Sequence, residues 1–557
     1  MDDDCKQLTH KSAESDDDYL LVLEISETDP LFEKKKKLLE ALGFNPKGRV
    51  CFKNSTKPEA LKYALEVMLQ RARITHLDDV ELYFVGVYAS QHVGFCSPRN
   101  ELEALHSILS LIDETLSSGK NINRNVLQHL RNGTVVMIHD VGDKYGDETQ
   151  IVTGCSCEKE KCLLQWGESY GVRTKLDIAY VKGAGRGAIA REDMKVGDIA
   201  LEIPVSLIIS EDLVHESAMF PILEKIDGIS SETMLLLWSM KEKHNHNSKF
   251  KSFFDTLPEA FNTGLSFGID AIMALDGTLL LEEIVQAKEH LRCQYDELLP
   301  ALCNDHPDVF PAEVYTWEQF LWACELWYSN SMKVMFTDGK LRTCLIPVAG
   351  FLNHSICPHI MHYGKVDSTT NSLNFPLSRP CNAGEQCFLS YGNFSSSHLV
   401  NFYGFLPQGD NPYDIIPLDL DVALVDSSED GHSISSWASH MVRGTWFSKN
   451  HDIFHYGLPP PLLDHLRRAW NPMLQTNTLT LENLEIELEI LEDLCSTFEN
   501  MMEALGDTKL DDREHTNWDV KLALEFKDLQ RRIVSSIVTS CNAGRKLVQY
   551  ELGKCMA

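Results

Sequence analysis

Two short segments place polar side chains directly after an apolar run, where a chain usually buries plain hydrocarbon. Residues 351–355 (FLNHS) bring Asn353 and His354 together, and residues 389–392 (LSYG) carry Tyr391. An amide and an imidazole can hydrogen-bond to the amine and ring nitrogens of an adenine. A phenol at the end of a strand can orient a nucleophile and the carbon under attack without transferring a proton. Taken singly, a buried structural Asn, His or Tyr is the commoner case, so the order of the segments matters most.

A glycine-rich run precedes both segments. Residues 182–188 (KGAGRGA) lead into residues 199–204 (IALEIP), whose alternating apolar side chains predict a strand. Because a strand follows rather than a helix, the run lacks the context of a Rossmann dinucleotide fingerprint. Glycine allows the backbone to approach a flat or bulky ligand closely, and the alternative is a flexible turn between two strands.

Length and composition indicate a multidomain globular protein. A chain of 557 residues is long enough for three or four domains, and 43% apolar with 24% charged residues is typical of soluble proteins. The sequence contains no run of eighteen apolar residues for a membrane helix, and its N-terminus lacks the features of a secretory signal. We therefore expect a cytoplasmic or nuclear protein that does not contact a membrane.

The net charge indicates which partners are favoured, and the cysteines indicate the redox state of the thiols. A net charge of −31 repels nucleic acid and attracts basic protein segments. Sixteen cysteines without a secretion signal are typical of reduced, mostly buried thiols.

The chain divides into regions of different pattern. Residues 1–18 form an acidic tail that we expect to be disordered, and residues 19–150 predict a small α+β domain of unknown role. Its predicted strands span residues 19–25 and 79–88, and its predicted helices span residues 29–43, 57–74 and 100–117. Residues 150–215 are turn-rich and strand-like, residues 216–345 mostly helical, residues 345–392 again strand-like, and the remainder helical.

The order of the glycine run, the NHS segment and the SYG segment resembles the SET domain of protein methyltransferases. Residues 403–405 (YGF) resemble the branch typified by the Rubisco large-subunit methyltransferase and related non-histone enzymes, and the segments at residues 254–258 (FDTLP), 320–323 (FLWA) and 411–412 (NP) support it. The resemblance covers about residues 160–557. It implies an α+β fold with a SET-domain β core at residues 151–409, a helical insertion at about 216–345, and a helical substrate-binding domain at 410–557.

The resemblance also implies a reaction and its residues. The reaction is methyl transfer from S-adenosyl-L-methionine to a protein side chain, with lysine as the expected acceptor, and we expect a monomer acting on a protein with a basic segment. Tyr391 would sit where the methyl group passes, and Met332 and Tyr403 would contact the accepting side chain. The cofactor would be bound by Lys182, Gly183, Ala184, Asn330, Asn353, His354 and Tyr391.

Three positions depart from the family pattern. Asn330 stands where most relatives carry an arginine that binds the cofactor's carboxylate, Gly350 replaces an acidic residue, and residues 395–397 (SSS) replace Ser-Asn-Ala. An Asn cannot supply a charged, bidentate fork. The alternative function is therefore a SET-fold interaction module with weakened catalysis. Met332 stands where histidine-methylating members carry a polar residue, which favours lysine and leaves histidine open.

Three cysteines form a separate motif. Cys155, Cys157 and Cys162 copy the spacing of a zinc-binding motif of histone methyltransferases, and Cys357 is a conceivable fourth ligand. The branch resembled does not use such zinc, and free thiols are the commoner outcome. We expect no metal there, and a zinc-dependent scaffold remains a third class of function.

Overall fold

The structure is a computed structural model, and contacts divide its chain into two compact units. The first unit comprises residues 1–145, 412–504 and 530–557, and the second comprises residues 146–411 and 505–529. The predicted domain boundaries at residues 150 and 409 stay predictions. The predicted tail at residues 1–18 lies outside the described residues except for Asp18. The structure describes residues 18–45, 47–53, 58–86, 93–118, 124–419, 439–470, 478–506 and 516–556.

The N-terminal part of the first unit packs an antiparallel strand pair with helices. The strands are β1 (Asp18–Glu24) and β2 (Lys47–Lys53). The helices are α1 (Phe32–Ala41), α2 (Pro58–Thr75), α3 (Asp79–Val85), α4 (Pro98–Ser117) and α5 (Arg124–Tyr145). The strand predicted at residues 19–25 and the helices predicted at 29–43, 57–74 and 100–117 are confirmed.

The strand predicted at residues 79–88 is wrong, because its described part forms α3. A capping box begins this helix: the Asp78 carboxylate accepts the Glu81 N–H at 2.8 Å, and the Glu81 carboxylate accepts the Asp78 N–H at 3.1 Å. This reciprocal pairing satisfies two helix N–H groups, and it outweighs an alternation of apolar residues that favoured a strand. Residues 87–88 lie outside the described residues.

The second unit combines short strands with a helical insertion. Its strands are β3 (Arg173–Thr174), β4 (Leu176–Val181), β5 (Gly185–Ala190), β6 (Ile199–Pro204), β7 (Ser331–Met335), β8 (Leu341–Leu345), β9 (Val366–Asp367) and β10 (Ser372–Pro376). Its helices are α6 (Glu158–Ser169), α7 (Glu211–His215), α8 (Phe220–Leu223), α9 (Ser231–Lys243), α10 (Lys251–Phe254), α11 (Ile269–Ala274), α12 (Leu279–Asp305), α13 (Trp317–Asn330) and α14 (Ser396–Tyr403).

The strands of this unit form one small sheet and two hairpins. The sheet has the order β3-β6-β10-β9, and the hairpins are β4-β5 and β7-β8. Strand β6 confirms the strand predicted at residues 199–204, and it buries Leu201 and Ile203 completely, as β10 buries Leu373 and Phe375. Helix α6 was not predicted, because residues 150–215 were expected to be strand-like. Strands β7 and β8 were not predicted either, because residues 216–345 were expected to be mostly helical.

The remaining elements complete both units. Strands β11 (Ile415–Leu418) and β12 (His440–Arg443) pair antiparallel in the first unit, which also contains α15 (Pro460–Trp470) and α16 (Leu481–Ala504). Helix α17 (Trp518–Met556) runs through residues of both units. None of the helices in the described ranges is both long and apolar enough to cross a membrane.

Two helix ends fix the backbone near Asn330 and Tyr403. Helix α13 passes without a loop into β7, so Asn330 lies at a helix–strand junction. Helix α14 starts at an N-cap, where Ser395 accepts the His398 N–H at 3.3 Å. It ends at Gly404, whose φ is 75°. A Cβ at this position would collide with the Asn262 carbonyl. Only glycine fits there, which sets the place of the preceding Tyr403.

A buried ion pair joins α6 to the glycine-rich strand β5. Arg186 Nη1 donates to Glu160 Oε1 at 2.6 Å and to the Thr256 carbonyl at 2.5 Å. Glu160 is 4% exposed. Its neighbour Glu158 pairs with Lys161 at 3.0 Å, but both side chains are more than half exposed.

We expect Glu160→Ala to lower the free energy of unfolding by about 3 kcal/mol, because it leaves the Arg186 guanidinium partly buried without its carboxylate. The matched control Glu158→Ala removes an exposed pair on the same helix, and its effect should stay within about 0.5 kcal/mol. Urea unfolding followed by tryptophan fluorescence measures both. Equal effects of the two variants would contradict a structural role for the buried pair.

Candidate active site

The Asn353 amide joins the glycine run to the segment that ends on Tyr391. Its Nδ2 donates to the Arg186 carbonyl in β5 at 3.0 Å and to Gln386 Oε1 at 2.7 Å. Its own carbonyl accepts the Leu389 N–H at 2.8 Å. Three segments separated by up to about two hundred residues therefore meet at one side chain.

His354 holds the backbone of Tyr391. The two segments form a parallel bridge between His354 and Leu389, and His354 Nδ1 accepts the Tyr391 N–H at 3.1 Å. Burial lowers the pKa of His354 to about 4, so the imidazole is neutral near pH 7 and its Nδ1 can accept. The Tyr391 hydroxyl donates to the Leu352 carbonyl at 3.0 Å, which ties the phenol back to the same segment.

Aromatic side chains surround the Tyr391 ring. It stacks on Tyr403 with ring centroids 5.0 Å apart and lies 5.2 Å from the His354 ring. Phe405 meets both tyrosines edge-on at 6.5 Å. Burial raises the pKa of Tyr391 above its usual value and raises the pKa of Tyr403 and of Tyr363 to about 12. All three phenols therefore stay protonated at neutral pH.

A narrow pocket of about 30 Å³, with room for about two water molecules, opens beside these rings. None of its lining residues carries a charged side chain. The lining residues are Ser329, Asn330, Ser331, Met332, Ala349, Gly350, Leu352, Tyr363, Leu389, Tyr391 and Tyr403.

The structure brings four of the predicted site residues together in this pocket, namely Asn330, Met332, Tyr391 and Tyr403. Asn353 and His354 adjoin it through their bonds to the Leu389 and Tyr391 backbones. Lys182, Gly183 and Ala184 do not line it. They form the turn between β4 and β5, where the Lys182 N–H donates to the Gln150 carbonyl at 2.9 Å. Arg186, which follows this turn in β5, connects it to the pocket because its carbonyl accepts a hydrogen bond from the Asn353 amide.

Sequence reasoning missed three residues of the site. Arg186 supplies the carbonyl that Asn353 binds, and Gln386, which is fully buried, supplies the second acceptor. At Gly187 a Cβ would collide with the Gln386 side-chain oxygen and lie 3.1 Å from Asn353 Nδ2, so this close approach requires glycine. Two features of the sequence could have indicated them. Gly187 is the third glycine of the run, and Gln386 is a polar residue directly before an apolar stretch.

Asn330 and Gly350, two of the positions that depart from the family pattern, are neighbours. A Cβ on Gly350 would lie 3.2 Å from Asn330 Oδ1, and Asn330 Nδ2 donates to the Ser329 hydroxyl at 2.7 Å. At this end of the pocket an amide and hydroxyls are therefore available to a ligand, and the lining residues in the described part of the chain include neither a cation nor an acid.

The sulfurs of the cysteine motif do not belong to a close group of ligand atoms in the described part of the chain. Cys155 and Cys162 are exposed and Cys157 half-buried, and their sulfurs are not among the groups whose ligand atoms cluster within metal-binding distance. Cys357 is fully buried. The expectation that no metal binds these four residues stays a prediction.

Several curated relatives of this chain are named as protein N-methyltransferases. The Rubisco large-subunit N-methyltransferase of Pisum sativum is 26% identical over 316 residues, which are 54% of this chain and 62% of that protein. The fructose-bisphosphate aldolase-lysine N-methyltransferase of Arabidopsis thaliana is 26% identical over 258 residues, 45% of this chain and 52% of its own length. The actin-histidine N-methyltransferase of Homo sapiens is 23% identical over 270 residues, 47% of this chain and 45% of that protein. The chain thus spans less than two thirds of each relative, and no family model matches it.

Solved structures share the fold. The SET domain of the Rubisco large-subunit methyltransferase bound to lysine and S-adenosylhomocysteine superposes with a TM-score of 0.53 at 19% identity, over 71% of this chain and 95% of that one. The same enzyme bound to S-adenosylmethionine gives 0.51 at 18% identity, over 70% and 93%. The predicted fold is confirmed: this chain has the SET-domain fold, in the form found in the Rubisco large-subunit methyltransferase.

Proposed function

We propose that this protein transfers a methyl group from S-adenosyl-L-methionine to a protein side chain, with lysine as the acceptor. The observation that carries the proposal is the Asn353 amide, which fastens the glycine run to the Tyr391 segment beside one aromatic pocket. Relatives whose names state N-methylation of a protein, one of lysine and one of histidine, add support.

The residues present fit the cofactor at one end better than at the other. Neutral rings of Tyr391 and Tyr403 suit a sulfonium, which aromatic faces attract. The backbone of Lys182, Gly183 and Ala184, with Asn353 and His354, would hold the adenosyl part. The carboxylate end would meet Asn330 and the Ser329 hydroxyl, which can donate hydrogen bonds but carry no charge. When bound, the cofactor supplies an electrophilic methyl group.

The chain's own task in such a reaction is alignment. Because burial keeps the pKa of Tyr391 above its usual value, the phenol stays protonated and orients its neighbours rather than exchanging protons. Its hydroxyl is fixed on the Leu352 carbonyl and its ring on Tyr403. Holding reactants in one geometry can provide most of the acceleration when the electrophile is already strong.

The pocket lining also favours a neutral amine. An acceptor lysine must lose its proton before it can act as a nucleophile, and a desolvating pocket without a carboxylate lowers its pKa. Met332 lines this pocket and cannot hydrogen-bond to an imidazole as an amide can, which favours lysine over histidine. The net charge of −31 would attract a basic segment of the partner. We further propose a monomer that acts in the cytoplasm or nucleus.

A second function is a SET-fold interaction module that has lost efficient cofactor capture. The specific observation in its favour is the contact between Asn330 and Gly350, which leaves the pocket end without any charge. A weakly bound cofactor would leave the same surface available for binding a protein without modifying it.

We expect Tyr391→Phe to reduce methyl transfer about 10²-fold while the protein stays folded, since only the orienting hydroxyl is lost. The assay incubates hypomethylated cell lysate with tritiated S-adenosylmethionine, and amino-acid analysis of the labelled protein distinguishes methyl-lysine from methyl-histidine. Tyr315→Phe is the matched control, because Tyr315 is buried and its hydroxyl donates to the Leu237 carbonyl outside the pocket. Equal labelling by Tyr391→Phe and the wild type would refute the assigned role. Absence of labelling by the wild type would favour the interaction module.

We expect Asn330→Arg to tighten binding of S-adenosylhomocysteine about tenfold or more, because a charge-assisted hydrogen bond contributes roughly 1.5–3 kcal/mol. Calorimetric titration measures the affinity. Asn247→Arg adds the same charge to an exposed loop and should leave the affinity unchanged. The double variant Asn330→Arg/Gly350→Asp tests whether the new arginine needs an acidic neighbour. An unchanged affinity in both 330 variants would show that Asn330 does not face the cofactor's carboxylate.

A further inference from the structure

A buried cluster of two thiols and one imidazole lies in the second unit, outside the aromatic pocket. A ring nitrogen of His359 and the Sγ atoms of Cys381 and Cys387 all lie within 4.8 Å of one another. His359 is 2% exposed, and both cysteines are fully buried. Within the described ranges, this is the one group of at least three His, Cys, Asp or Glu side chains whose ligand atoms approach so closely.

Backbone pairing fixes all three residues in place. Cys381 exchanges two hydrogen bonds with Met194, at 2.8 and 3.1 Å, and the Cys387 N–H donates to the Ala188 carbonyl at 2.8 Å. The His359 N–H donates to the Phe388 carbonyl at 3.0 Å. The side chains therefore converge from paired backbone segments, which is the arrangement that preorganises a binding site.

The hydrogen bonds of His359 define its protonation. Its Nδ1 accepts the Phe388 N–H at 3.0 Å, and its ring stacks on Phe388. Because Nδ1 accepts this hydrogen bond, it carries no proton and the ring is neutral. A neutral imidazole that accepts at Nδ1 carries its proton on Nε2. This buried Nε2 has no hydrogen-bond partner in the part of the chain that the structure describes. Such an unpaired donor requires an explanation.

The two thiols lie side by side, with their Sγ atoms within 4.8 Å of each other. A thiol binds a metal as its thiolate, so a bound cation would replace the thiol protons. The Arg379 guanidinium, itself 6% exposed, lies nearby with its Nε bonded to the Cys357 carbonyl at 3.0 Å. Its charge favours an anionic group in this cluster.

We propose that Cys381 and Cys387 bind one cuprous ion as a pair of thiolates, with His359 Nε2–H donating to one of the two sulfurs. Binding replaces two thiol protons by one monovalent cation, so the complex carries one negative charge beside Arg379. The ligand bond satisfies both thiolates, and the orphaned Nε2–H gains an acceptor. This inference is independent of the methyl-transfer proposal.

The donor set selects copper(I) over zinc. Structural zinc is bound by four ligands, whereas this cluster offers two thiolates and a ring nitrogen that already carries a proton. Soft thiolate ligands favour copper(I), which accepts low coordination numbers. Zinc binding would require His359 to give up its bond to the Phe388 N–H.

The test is anaerobic titration of the purified, reduced full-length protein with copper(I) buffered by bicinchoninate, followed by desalting and copper analysis. Exposed thiols such as Cys155 and Cys162 also attract copper, so all proteins compared carry serine at positions 155, 157 and 162. We expect this reference protein to retain one equivalent more copper than its Cys381→Ser/Cys387→Ser variant. Cys324→Ser removes a buried thiol of α13 outside the cluster and should keep that equivalent. Equal retention by the reference protein and the double variant overturns the proposal.

X-ray absorption at the copper edge provides a second readout that needs no variant of the cluster, and it remains decisive if the double variant fails to fold. The copper-loaded reference protein should show two sulfur neighbours. A shell of nitrogen or oxygen donors alone would overturn the proposal. Zinc added in place of copper should be removed by desalting, and one retained equivalent of zinc would overturn the choice of metal.

Discussion

One side-chain amide sets the geometry on which the site depends. Asn353 has two N–H donors on one nitrogen, and acceptors on two different segments, the Arg186 carbonyl and Gln386 Oε1, take them. An aspartate of the same shape would place a carboxylate against two oxygen atoms, so the position requires an amide. The contact also demands that β5 approach closely, and Gly187 meets this demand by having no side chain. The glycine run and the NHS segment therefore depend on each other, because the hydrogen bonds of Asn353 form only where Gly187 leaves room for them.

The same segment then positions the phenol. Asn353 and His354 accept the N–H groups of Leu389 and Tyr391, and Leu352 accepts the Tyr391 hydroxyl. Three consecutive residues therefore hold both the backbone and the tip of the tyrosine. His354 can accept because burial keeps its imidazole neutral, with its pKa lowered to about 4. The outcome is an uncharged aromatic wall, which is suited to aligning a sulfonium with an amine and unsuited to acid–base catalysis.

Much of this site is readable from the sequence because its motifs are short, ordered and chemically unusual. Asn353 and Tyr391 are polar residues after apolar runs, and Gly404 follows Tyr403 as a helix-ending glycine. Pairings between distant segments could not be predicted from the sequence. Gln386 has the pattern of an ordinary strand residue, and only the structure shows that it accepts a hydrogen bond from Asn353. Helix α3 was mistaken for a strand because the apolar alternation masked a capping box, whose two hydrogen bonds depend on local geometry. The adjacency of Asn330 and Gly350 likewise appears only in three dimensions.

Hydrogen–deuterium exchange with and without S-adenosylhomocysteine tests the central claim most directly, because it reads each of the three segments separately. The ligand should slow exchange at residues 182–188, 352–355 and 386–391 together, since one bound molecule would tighten all the backbone pairs that meet at Asn353. Helix α4 of the first unit serves as an internal reference and should exchange unchanged. Protection limited to one of the three segments, or no protection at saturating ligand, would contradict the account.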